Sequence, residues 1–209
     1  MNPLLEKFPE SVNINGIECR INQGFHTVLY CNELTEGIPE KEDIPEEILL
    51  KMLKAFYPKV HLFTEEHLNK MFWFFTCGRE KEKKKFPRKA AGINSNKPFD
   101  FKEDAELIYA GFIQQYGIDL QETDMHWWKF MILLENLGAE TRLSKVMEYR
   151  TRDLSSKKLS KEEREFYKAM QKYFSLENRP REVDEKARRI EDALMNGEDI
   201  TELLRSDQD

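Results

Sequence analysis

A mainly α domain, helical with an N-terminal β-hairpin, is the fold class this sequence predicts, and three observations carry it. Only nine Gly and eight Pro occur in 209 residues, too few for the turns of a many-stranded architecture. One stretch near the N-terminus, 11–22, alternates apolar and polar residues around an Asn-Gly pair. Beyond it the apolar spacing changes from 2 to about 3.6 and never returns. Apolar residues make up 40% of the chain, with 14 Phe, 7 Tyr and 3 Trp, so there is enough core material for one domain without disulfide or metal staples.

Val12 and Ile14 precede Asn15-Gly16, and Ile17, Cys19 and Ile21 follow it. Asn-Gly supplies the two positive φ angles of a type I′ turn, so the two runs form a hairpin. Phe25 to Leu34 reads as a short helix, ended by the Gly37-Ile38-Pro39 stretch. Pro45, at the first helical position, opens a second with Ile48, Leu49, Met52, Leu53 and Phe56 on one face. Thr64 caps a third, with Leu68, Met71, Phe72 and Phe75 as its stripe and Gly78 as its stop.

Residues 79–97 fit no periodic template. The run REKEKKKFPRK holds seven Lys/Arg against two Glu, a local charge of +5, and Gly92, Asn94, Ser95 and Asn96 follow. Such a segment buries too little to order itself and reads as an exposed, mobile loop. Asp100 and Glu103 form a D-x-x-E helix start ahead of Ala105, Ile108, Tyr109, Phe112 and Tyr116, with Gly117 as the stop. Asp124 to Asn136 is apolar on nearly every side and is therefore the expected central helix. Thr141 starts a helix with Leu143, Val146 and Met147, and Ser160 with Glu163 makes a capping box for another, carrying Phe166, Met170, Tyr173 and Phe174.

After Arg179-Pro180 a charged segment carries one stripe, Val183, Ala187, Ile190 and Leu194. The sequence thus divides into a helical domain, 1–176, and an amphipathic helical extension, 177–209. The extension lacks material for its own core, so it docks on the body or stays free as a peripheral amphipathic helix, and the further readings are that it occupies the protein's own partner groove in the free state or mediates self-association.

Composition and motif spacing exclude several functions. A net charge of −6 and a pI near 5.5 argue against nucleic acid or an anionic membrane as partner, and the basic run is interrupted by Glu80 and Glu82. No apolar stretch approaches the ~20 residues of a membrane span. Glu6 and Glu10 fall where a signal peptide needs an apolar run, so secretion is not expected. Cys19, Cys31 and Cys77 form no C-x-x-C pair, and a reducing cytoplasm suits them. His61 and His67 are six apart, and His26 and His126 have no neighbouring ligand, so no metal site is expected. G-x-S-x-G, a Gly-rich phosphate loop and H-E-x-x-H are all missing, and no catalytic or cofactor-binding residue is assigned. Trp127 and Trp128 lie ~100° apart around their helix. One ring belongs in the core and the other in the core or at an interface; core for both is the favoured reading, and Trp127 is carried as a candidate partner contact.

The ordered set FWFFTCGREKEKKK, FDFKEDAELIYAGFIQQYGIDL, HWWKFMILLENL, LSKVMEYRTRDLSS and EREFYKAMQKYFSL resembles the bacteriophage Gp15 family of small tail proteins. The resemblance runs from about Val12 to Leu176 and is most specific over Asp100 to Arg152. It implies a non-enzymatic tail assembly chaperone in the host cytoplasm. The implied partners are the tape measure protein, whose long apolar helical chain it keeps soluble, and the tail tube protein to which that chain is handed. No cofactor is implied. The alternatives are a structural tail component retained in the virion, or a nucleic-acid-binding accessory protein using the basic loop. Val183, Ala187, Ile190, Leu194 and Trp127 are the candidate partner-binding residues, and self-association is an open expectation.

Overall fold

The N-terminal hairpin turns where the sequence requires it. In a computed structural model, which describes residues 2–39, 42–79, 91–156 and 159–176, strands β1 (Ser11–Ile14) and β2 (Ile17–Arg20) pair antiparallel, Val12 opposite Cys19 and Ile14 opposite Ile17. Asn15 at φ 50° and Gly16 at φ 85° form the turn between them. Val12, Ile14 and Ile21 enter the core, while Ile17 stays exposed.

Seven helices follow among the described residues: α1 (Phe25–Leu34), α2 (Glu46–Phe56), α3 (Glu65–Phe75), α4 (Ala105–Tyr116), α5 (Trp127–Glu135), α6 (Arg142–Thr151) and α7 (Lys161–Tyr173). The fold is mainly α. Every helix leaves backbone groups at its ends without intrahelical partners. Side chains and backbone from distant segments meet that need here, and in doing so they knit the domain together. The starts of α1 and α5 lie side by side, where Phe25 N–H donates to the Met125 carbonyl (2.9 Å) and Trp127 N–H to that of Gln23 (2.8 Å). The end of α2 is met by Asn22, whose backbone N–H bonds the Phe56 carbonyl and whose side-chain amide bonds that of Ala55. Both indoles of α5 cap α3, with Trp128 Nε1–H donating to the Phe74 carbonyl (2.8 Å) and Trp127 Nε1–H to the Phe75 carbonyl (3.0 Å). Tyr116 Oη–H bonds the Leu133 and Asn136 carbonyls at the end of α5.

The core is built on α5, as its all-round apolar sequence predicts. The Phe130 ring lies nearly parallel to Phe25 of α1 (centroids 4.8 Å) and to Phe112 of α4 (5.1 Å), and stacks on Trp127 (5.6 Å). Phe56, Met71, Phe74 and Leu143 are fully enclosed around it. Helix α5 starts three residues later than expected, because His126 is its N-cap: Nδ1 accepts the Trp128 N–H (3.0 Å).

Three further expectations are corrected. Pro45 is not the first helical residue but the N-cap of α2. The buried face of α3 is His67, Met71 and Phe74, with Phe72 exposed. His67 can face inward because its Nδ1 accepts the Thr64 N–H (3.2 Å) and its ring packs edge-on against Tyr57 and Phe63. Helix α4 begins at Ala105, after a turn in which Asp100 accepts the N–H groups of Lys102 and Glu103. Asp104, its N-cap residue, is drawn inward and forms a bidentate pair with Arg150, the two side chains being 3% and 8% exposed.

Of the segment expected as a mobile loop, 80–90 lie outside the described residues. At one flank Arg79 forms a bidentate pair with Glu135. At the other, 91–97 are bonded to α6. Asn94 N–H donates to the Thr151 carbonyl (2.7 Å), the Asn94 side-chain amide to those of Arg150 and Arg152, and the Asn96 amide to that of Arg150.

Candidate partner-binding surfaces

Of the five residues expected to contact a partner, Val183, Ala187, Ile190 and Leu194 lie outside the described residues. Trp127 is 4% exposed, stacked inside the core and bonded to the end of α3, so its work is structural. Two surfaces that the sequence reading did not single out are better candidates.

The first is an apolar cleft of about 370 Å³ between α1 and α4. Phe25 and Leu29 of α1 form one wall, and Phe101, Ile108 and Tyr109 the other, with Phe130 beneath. The cleft exists because α1 and α4 each touch α5 from their own side, so Phe130 is sandwiched between them while the space above it stays open. Glu106 and Gln121 lie at its edge. Tyr109 donates its hydroxyl to Asp119 (3.0 Å), and that bond, with the nearby charges of Asp119 and Glu122, raises the phenol pKa. Glu106 on the lining and Asp119 bonded to the Tyr109 hydroxyl thus place carboxylates beside an apolar floor. The signal in the sequence was an apolar arc on α4, Ala105, Ile108, Tyr109 and Phe112, wider than one packing contact needs.

The second is an aromatic face on α6 and α7. Ser160 and Glu163 close a reciprocal capping box at the start of α7 (2.8 and 3.1 Å), as its S-x-x-E sequence predicts. Tyr149 of α6 packs against Phe166 and Tyr167 and stacks on Phe174, while the Arg152 guanidinium sits 5.0 Å from the Tyr167 centroid. Arg150 Nε–H donates to the Phe174 carbonyl (2.6 Å), tying the far end of α7 to the buried ion pair. Even so, no residue of α7 is buried; Phe166 is 50% and Tyr173 77% exposed.

Neither surface gathers catalytic groups. Among the described residues no three His, Cys, Asp or Glu side chains converge to hold a metal ion. Burial pushes the Cys31 thiol up to about 12 and the Cys77 thiol up to about 11, so both are protonated at neutral pH and neither is an activated nucleophile. No helix among the described residues is long and apolar enough to cross a membrane.

The model of the bacteriophage Gp15 protein matches residues 4–176. The chain belongs to the bacteriophage Gp15 family. This membership marks it as a phage protein, and the family is not a known enzyme family. No curated protein and no solved structure matches the chain. Both surfaces fall inside the Gp15 match, which also takes in the hairpin and all seven helices. Residues 177–209 lie outside the matched span.

Proposed function

We propose that this Gp15 protein is a tail assembly chaperone that binds the tape measure protein in the host cytoplasm, hands it to the growing tail tube and leaves before the virion is complete. Family membership supports a role in phage biology. The observation that carries the finer reading is the α1–α4 cleft, an open apolar floor with carboxylates beside it on the body of a family member. Its volume suits one or two apolar side chains projecting at i and i+3 or i+4 from an amphipathic helix, the helix-in-groove mode of recognition. Glu106, Asp119 and Glu122 favour a helix whose flanks are basic. A long apolar helical chain awaiting assembly presents many such pairs, and covering them in turn keeps it from aggregating.

Co-expression with the tape measure protein of the same phage tests the reading. The native protein is expected to keep the tape measure chain soluble and to co-purify with it. Leu29→Asp and Ala105→Glu, at the open edge of the cleft, should abolish both effects without unfolding the domain. Equal tape measure solubility with and without the protein would refute chaperoning. Mass spectrometry of purified virions finding the protein at tail-subunit stoichiometry would identify a structural component instead.

A further inference from the structure

Helix α7 is attached to the body along one side only. Tyr149, Arg152 and the Arg150 guanidinium meet Tyr167, Phe174 and its terminal carbonyl, and Gln171 donates to the Arg152 carbonyl (2.7 Å). The flank beside it carries Phe166, Ala169, Met170 and Tyr173; Phe166 meets Tyr149 with one edge yet stays half exposed, Ala169 and Tyr173 are exposed and Met170 is half-buried. The spacing is that of a single helical seam.

The chain runs on for 33 residues beyond Leu176. Val183, Ala187, Ile190 and Leu194 follow one another at steps of four, three and four, matching the steps of four and three from Phe166 to Met170 to Tyr173. Helices with stripes of this spacing pack at 8–10 Å with a small crossing angle. Six residues, 177–182, separate Leu176 from Val183. Extended, they span about 20 Å, which is ample to reverse direction across that separation.

Size decides between the possible occupants. Phe166 and Tyr173 together leave on the order of 300 Å² of side chain uncovered. A stable interface between separate chains buries about 800 Å² on each partner. A tethered segment meets a lower requirement, because a short linker holds it at millimolar effective concentration. We infer that residues 183–194 dock in cis on the exposed face of α7, completing a helical hairpin whose first arm ends the Gp15 body and whose second arm lies outside the matched span. This inference is independent of tape measure binding, and its test contains no partner.

Hydrogen exchange read by mass spectrometry on the full chain decides the matter, with light scattering to give the mass. Ile190→Asp lies beyond the Gp15 body and leaves its folding unaffected. It is expected to speed exchange across α7 at least tenfold, leave α5 unchanged and leave the mass at one chain. Reciprocally, Phe166→Asp should speed trypsin cleavage at Arg188 and Arg189. Identical α7 exchange in the native protein and Ile190→Asp would overturn the inference. So would α7 protection that fades on dilution as the mass falls from two chains to one, which would identify a second copy as the cover.

Discussion

Replacing Asp104 with alanine strands a buried cation. In the native protein the Asp104 carboxylate accepts from both terminal nitrogens of Arg150, at 2.6 and 2.9 Å, and from the Asp100 N–H at 2.9 Å. Arg150 spends its remaining bonds on the carbonyls of Pro98 (3.2 Å) and Phe174 (2.6 Å), so one guanidinium joins the approach to α4, the α4 N-terminus and the end of α7. After Asp104→Ala two carbonyls still face the guanidinium, but its buried charge has lost its counterion. Removing one partner of such a pair costs roughly 3 to 5 kcal/mol. At about 2 to 4 °C per kcal/mol for a chain of this size, the melting temperature falls by some 6 to 20 °C. Arg150→Met should cost a similar amount by leaving the carboxylate unpaired, whereas the double variant, with no buried charge left, should be more stable than Asp104→Ala alone. Urea unfolding followed by helical circular dichroism measures all three. A loss under about 1 kcal/mol for Asp104→Ala, or a double variant costing the sum of the singles, would refute the description of this pair as an enclosed clamp.

Two other outcomes are expected. Trp128→Ala and Phe130→Ala should each cost roughly 3 to 5 kcal/mol in the same unfolding assay, while Trp128→Phe, which keeps the ring but loses the bond to the Phe74 carbonyl, should cost about 1 to 3 kcal/mol. Burial lowers the His126 pKa from 6.5, outweighing its bond to the Pro9 carbonyl and the charge of Glu10, so the unfolded chain takes up this proton first as the solution is acidified. The associated stability is fully present above pH 6.5 and declines below it, and His126→Asn, which retains a capping side chain, should flatten the melting temperature between pH 7 and 5.

The hairpin and the helix ends were legible because their signals are local. Asn15-Gly16, the Ser160/Glu163 box and Gly117 at φ 63° each act within four residues of the chain. Legibility failed where a distant partner overrides the local pattern. Asp100 and Glu103 read as a D-x-x-E helix start, and only the pairing of the next residue, Asp104, with Arg150, 46 positions away, explains why the chain turns there and enters α4 later. His67 displaced Phe72 from the core because tertiary neighbours satisfied its ring, which a count of apolar positions treats as polar. Asn94 and Asn96, typical of loops, serve as caps for carbonyls that cannot be recognised until α6 is in place. The α1–α4 cleft is harder still to foresee, since it is the space left between two helices whose packing is set by a third.

The parallel rings around Phe130 set an order of events during synthesis. The stack draws on residues 25, 112, 127 and 130, and the carbonyls at the end of α3 obtain their indole donors from residues 127 and 128. Until residues 127 to 130 have emerged from the ribosome, the hairpin and α1 to α4 can form and Phe74 can pack on Phe56, yet Phe25 and Phe112 lack the Phe130 ring that lies between them. Contacts spanning so much chain are slow to gather and leave apolar surface open while they do. Arrival of the short Trp127–Glu135 helix then closes α1, α3 and α4 in one step. A nascent chain stalled before residue 127 is therefore expected to aggregate more readily than one stalled far enough beyond α6 for Leu143 and Val146 to have cleared the exit tunnel.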